Sequence, residues 1–218
     1  MAKASKKLTR APLTTDELAK LTADDFGRLK LTDDEKSRLR AINQEKTRQR
    51  AERSAHLRAE EEPILADLRA IGWEVKSVWD LVNTSSPYPG AIPILLKHLT
   101  QAYSDRTKEG IARALAVPDA RDAWPLLAAE YRKAPMGKEN GIELGAKSGL
   151  AAALSAAATD DVIAQLAALA KDRSNGDSRL LLLSALRKSK TAVAKDALEE
   201  LAGDPALQKE IGSWGKAR

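Results

Sequence analysis

Few residues in this chain could do chemistry by their type and spacing. There are two histidines, His56 and His98, and no cysteine. Without cysteine there is no thiolate metal site, no thiol nucleophile and no disulfide framework. Neither histidine sits in a His-Glu dipeptide or a His-x-x-x-His pair. Both are therefore expected as surface side chains rather than metal ligands. A phosphate-cradling glycine loop, a nucleophile elbow and zinc-ligand spacing are likewise missing from the sequence. Carboxylates distant in sequence could still meet in a cleft, but no catalytic residue, metal or cofactor is expected.

The elements that would position any site repeat themselves. Gly110-Ile111-Ala112-Arg113-Ala114-Leu115 aligns with Gly149-Leu150-Ala151-Ala152-Ala153-Leu154, and Leu182-Leu183-Ser184-Ala185-Leu186 keeps the aliphatic start and the Ala-Leu close. A second series places Leu95, Leu127, Leu166 and Leu198 at spacings of 32, 39 and 32. Ile111, Leu150 and Leu182 follow at 39 and 32. One seven-residue insertion between Leu127 and Leu150 explains both long intervals, and the Pro, Gly and Asn of residues 134–141 mark it as a loop. One further period forward falls on Trp214 and one back on Trp79, both expected in the core. Such a period signals stacked helix pairs, each helix presenting one apolar stripe that only its neighbours can bury. The pairs are expected at about 91–102 with 106–117, 122–134 with 142–158, 161–173 with 178–189 and 192–203 with 205–216. An irregular first pair precedes them, around Ile64–Ile71 and Val75–Val82.

Upstream the character changes. Residues 1–58 hold 15 Lys/Arg against 9 Asp/Glu, while residues 59–218 hold 21 against 22, so the net charge of +5 belongs to the N-terminal part. Residues 1–13 are expected as a disordered basic arm and residues 14–59 as a charged helical extension. The latter has helix starts at Thr14, Thr22 and Thr32, each followed three residues later by an acid. A polar helix is expected from Asp33 to about Ala59, with Glu60-Glu61-Glu62-Pro63 opening a new one. Residues 60–218 make up the repeat domain. No stretch approaches the ~20 apolar residues of a membrane span, and no signal peptide is evident. A soluble cytoplasmic protein with no membrane contact is expected.

The Pro-x-Leu-Leu-type first helices and Gly-Ile-Ala-x-Ala-Leu-type second helices resemble the HEAT-like repeat superfamily over roughly residues 64–216. That resemblance implies an all-α, right-handed α-solenoid of about four to five helix pairs carrying the charged N-terminal helical extension. It also implies a concave face lined by the second helices, where Lys108, Arg113, Lys147, Arg179 and Arg187 are expected to point outward. Solenoids usually bind through that face, so a non-enzymatic scaffold for another protein is the favoured function, of the adaptor, regulatory or immunity type. The N-terminal helix, with Arg40, Lys46, Arg48, Arg50 and Arg53, would serve as a solvated strut or a partner helix. The alternative is nucleic-acid binding or repair, because HEAT-like proteins include alkylpurine DNA glycosylases with tryptophans and an Asp in the groove. Trp79 beside Asp80, with Trp124 and Trp214, could imitate them. Core packing is the stronger expectation for these tryptophans, and a solenoid of net −1 lacks a basic groove.

Overall fold

The computed structural model describes residues 10–139 and 141–214. These residues are mostly helical, with strand confined to one short hairpin. None of the described helices is long and apolar enough to cross a membrane. The chain divides into two compact units, Met1–His56 and Leu57–Arg218.

In the first unit, α1 (Thr15–Lys20), α2 (Ala23–Arg28) and the start of α3 (Asp33–Ala70) begin where the three threonines mark them. Glu17 accepts the Thr14 N–H at 2.8 Å, and Asp25 accepts the Thr22 N–H at 2.8 Å. Glu35 does more than cap. Its carboxylate accepts the N–H groups of Thr32 and Leu13, each at 2.8 Å, and the Arg10 guanidinium at 2.8 Å. The two backbone donors, Leu13 first, hold its carboxyl down at about 2, against the opposing effect of burial. Residues 1–9 of the expected disordered arm lie outside the described residues. Arg10 and Leu13, by contrast, are tied to Glu35 rather than free.

The expected break at Glu60–Pro63 does not occur, and α3 runs unbroken through Pro63 for 38 residues. Proline inside a helix costs about 3 kcal/mol, through a lost N–H and a clash with the preceding turn. Directly after it, Ile64, Leu65 and Leu68 are buried. Each contributes roughly 1.5–3 kcal/mol when fully removed from water, which outweighs the proline. The acids ahead of Pro63 have partners in the second unit instead of a new N-terminus to cap. Glu60 accepts the Ser104 N–H (2.7 Å) and the Thr107 hydroxyl (2.6 Å), and Glu61 accepts the Val78 N–H (3.3 Å).

The second unit continues with α4 (Val78–Val82), α5 (Ile92–Leu99), α6 (Asp105–Ala114), α7 (Trp124–Lys133), α8 (Ala146–Ala157), α9 (Ile163–Lys171), α10 (Arg179–Lys188), α11 (Ala192–Leu201) and α12 (Gln208–Ser213). The second helices pack in chain order, α4 on α6, α6 on α8 and α8 on α10, while α7 packs on α8 and α9 on both α10 and α11. The repeat register is the core register. Leu95, Leu127, Leu166, Ile111, Leu150 and Leu182 are all buried, and Leu198 is half-buried. The signature glycines mark close approach between second helices. A Cβ on Gly110 would lie 2.9 Å from Trp79 Nε1, and one on Gly149 would lie 3.0 Å from the Glu109 carbonyl oxygen. The insertion is more ordered than the loop expected there. Lys138–Glu139 (β1) pairs antiparallel with Ile142–Glu143 (β2), with Gly137 ahead of β1 and Gly141 in the turn between the strands, both at positive φ.

Candidate functional site

The second helices carry the cations expected to face a partner, and the structure separates those cations into two kinds. Lys147 and Arg179 are corrections: both are buried. Lys147 donates to the carbonyls of Tyr131 (2.9 Å) and Ala134 (3.3 Å), and its amine lies 4.6 Å from the Tyr131 ring centre. It satisfies carbonyls that the end of α7 leaves without helical partners. Burial pushes its pKa below the usual lysine value. Arg179 acts in the same way at the end of α9. It donates to Ala170 O (3.3 Å), to Gly176 O (3.0 Å) and to Asp204 (2.9 Å), in the turn ahead of α12. The Arg179 bond, and then the Ala206 N–H, hold the Asp204 carboxyl below its ordinary range.

The other three cations remain at the surface. Arg113 is half-buried and bonds Glu109 through Nε at 2.8 Å. Glu109 is itself 9% exposed and also takes Arg106 at 2.7 Å. The Arg106 guanidinium lies 4.0 Å from the Trp79 ring centre. Trp79 is therefore half-buried beneath a cation, not part of the core as its register suggested. Arg187 is exposed and stands 4.8 Å from the ring centre of Trp214, which is half-buried against the core edge. Trp124 is fully packed, as expected. Between α6 and α10, helix α8 presents only small half-buried side chains, Ser148, Ala152 and Ser155, and Ser155 hydrogen-bonds Ser184 at 2.7 Å. The resulting face has two Arg-on-Trp stacks, one carboxylate shared by two guanidiniums, and a small uncharged middle.

Lys108, half-buried, lines a separate cleft of about 720 Å³. Leu99, Leu144 and Leu150 supply apolar wall, and Tyr103, Glu130 and Lys133 supply polar rim. The inserted segment contributes Pro135 and Glu139 to that lining. Asp105, at the start of α6, also lines it. Its carboxylate accepts the N–H groups of Gly145 (2.6 Å) and Ala146 (3.1 Å), capping α8 from the neighbouring pair.

In the first unit, Arg40, Arg50 and Arg53 are exposed. Lys46 donates to Ala19 O at 2.9 Å, and Arg48 holds Glu45 at 2.9 Å.

His98 is a further correction. It is 3% exposed rather than a surface residue, whereas His56 is exposed as expected. His98 Nε2 lies 2.9 Å from Asp67 Oδ2, and Nδ1 lies 2.8 Å from the Tyr103 hydroxyl. The Glu109 bridge had a sequence signal, since it stands three residues after Arg106 and four before Arg113. The Asp67–His98 contact had none, because 31 residues separate its partners. Among the described residues no group of three or more His, Asp and Glu side chains could hold a metal ion. Comparison with family models, with curated proteins and with solved structures returns no match.

Proposed function

We propose that the second unit is a right-handed α-solenoid of HEAT-like helix pairs that binds another protein through the face of its second helices and does no chemistry on that partner. The ordered packing α4–α6–α8–α10 and the burial of every repeat-register leucine on the first three pairs support the architecture. The observation that carries the binding reading is the pair of Arg-on-Trp stacks, Arg106 on Trp79 and Arg187 on Trp214, flanking the small residues of α8. Tryptophan and arginine are the side chains that most often dominate protein–protein binding energy. A small uncharged middle admits a partner's side chains closely, and it offers no row of cations to a phosphate backbone.

The test is a photo-crosslinking residue placed at Ala152 or Ser184, with Lys195 on α11 as control. A discrete protein adduct in host extract from the first two positions alone supports the reading. Equal adducts from all three, or none, overturn it.

A second reading, nucleic-acid binding by phosphate contact, is favoured by the exposed Arg40, Arg50 and Arg53 of the first unit. Titration with duplex DNA at two salt concentrations separates the two. A sub-micromolar affinity that falls steeply with salt supports the second reading, and no binding at about 150 mM salt removes it.

A further inference from the structure

The cleft that Lys108 lines has a hydrogen-bonded tyrosine on its rim. Tyr103 is among its lining residues, together with Leu99, Leu144 and Leu150. The Tyr103 hydroxyl lies 2.8 Å from His98 Nδ1, nearer than its other acceptor, Gln101 Oε1, at 3.3 Å, and His98 Nε2 lies 2.9 Å from Asp67. With Asp67 accepting at Nε2, the neutral imidazole presents its Nδ1 lone pair to the phenol. The ring is buried. Asp67 is in turn held ionised by Lys97, whose amine lies 2.6 Å away, and by His98, which together keep its carboxyl below the usual range. The result is an oriented base in hydrogen-bond reach of a hydroxyl, with a third group fixing the base, which is the arrangement that activates a weak nucleophile.

We propose that Tyr103 is a base-activated nucleophile, at which an activated acyl ester seated in this cleft is captured once per chain. The phenol oxygen attacks the acyl carbon, and a C–O bond forms as the bond to the leaving alcohol or thiol breaks. The phenolic proton passes to His98 Nδ1 and from there to the leaving group, so no oxidant or reductant is needed. Burial and the nearby Glu60 and Asp67 carboxylates raise the Tyr103 pKa. The phenol is therefore protonated at neutral pH, and its reaction depends on that base. The apolar wall suits an acyl group, while Lys108 and Lys133 lie on the same lining for the polar end of the donor. The chain's other tyrosines lack this arrangement: Tyr88 donates to Ala114 O, Tyr131 pairs with Ser178, and both are buried. This capture is independent of partner binding on the second-helix face.

The experiment treats the full chain with p-nitrophenyl acetate at neutral pH, following nitrophenolate release and mapping the acetyl group by peptide mass. The expected result is one acetyl on Tyr103, gained at least about tenfold faster than on Tyr103 of the urea-unfolded chain, with Tyr88 and Tyr131 unmodified. His98→Gln should slow it by about 10²-fold, the usual worth of a positioned base. Asp67 acts through His98 as a positioning residue. Because its side chain is 37% exposed, Asp67→Asn is the variant that keeps the helical circular dichroism intact. Asp67→Asn should slow acetylation about tenfold. It should also make the rate climb about tenfold per pH unit, as unassisted phenolate attack does, where the parent chain climbs less steeply. Three outcomes overturn the assignment: equal rates in folded and unfolded chains, a natively folded Asp67→Asn that reacts like the parent, or acetylation confined to Lys108.

Discussion

Replacing Gly149 by alanine sets two opposed effects against each other, and the structure decides which wins. Gly149 lies inside α8, where alanine is preferred over glycine by about 1 kcal/mol on helix propensity alone. The added Cβ, however, would stand 3.0 Å from the Glu109 carbonyl oxygen and 3.1 Å from Ala112 Cβ. Neither atom can rotate away, because both are fixed to the backbone of α6. That helix is packed against α4 on one side and α8 on the other. Forcing a methyl group into a filled contact costs about 1–3 kcal/mol. The difference leaves Gly149→Ala less stable by about 1 kcal/mol, and a domain of this size loses about 2–4 °C of melting temperature for each kcal/mol. Gly149→Val adds further volume at the same contact and gives up propensity as well, so it should melt lower still. Thermal melts by circular dichroism give the order. An alanine variant that melts above the parent would mean that propensity governs, and that α6 and α8 are not in the close contact described.

Other outcomes follow from the same side chains. Glu35 titrates at about 2 in the folded chain against an ordinary value of 4.5, so its ionised form stabilises the first unit. That contribution is complete above the ordinary value and is lost as pH falls from about 4.5 toward 2. Carboxyl NMR should find Glu35 still ionised at about pH 4, and a midpoint at or above that pH refutes the Leu13 and Thr32 bonds. The Lys147 amine, its pKa lowered by burial, should lose its proton at lower pH than the exposed lysines in a side-chain NMR titration. If it titrates with the rest, it is not buried under Tyr131. Arg179→Ala should lower the melting temperature by several degrees and Arg187→Ala by less than about 2 °C, because only the first strips donors from buried acceptors. Equal shifts would show that the two arginines share one environment.

The spacing of leucines determined which residues the helices of the second unit bury. Apolar residues recur because each helix must bury one stripe, and that demand is local, so Leu127, Leu150 and Leu182 could be placed by counting. Helix starts at Thr14, Thr22 and Thr32 were legible for the same reason, since a cap and its acid lie three residues apart. Pro63 misled because the local rule for a helix start was overridden by Ile64, Leu65 and Leu68, whose burial depends on helices elsewhere in the chain. The cations show the boundary most clearly. Lys147 and Arg187 look alike in sequence, each a basic residue on a second helix. Lys147 is buried because the end of α7 presents the open carbonyls of Tyr131 and Ala134 beside it, while Arg187 stays exposed over the face of Trp214. His98 lies on the buried face of α5 with Leu95 and Leu99, where it meets Asp67, 31 residues away, and Tyr103. Periodicity reports what one helix requires of its own surface. The partner that a polar side chain meets is set by which helix ends come to lie side by side, and only the packed chain brings them together.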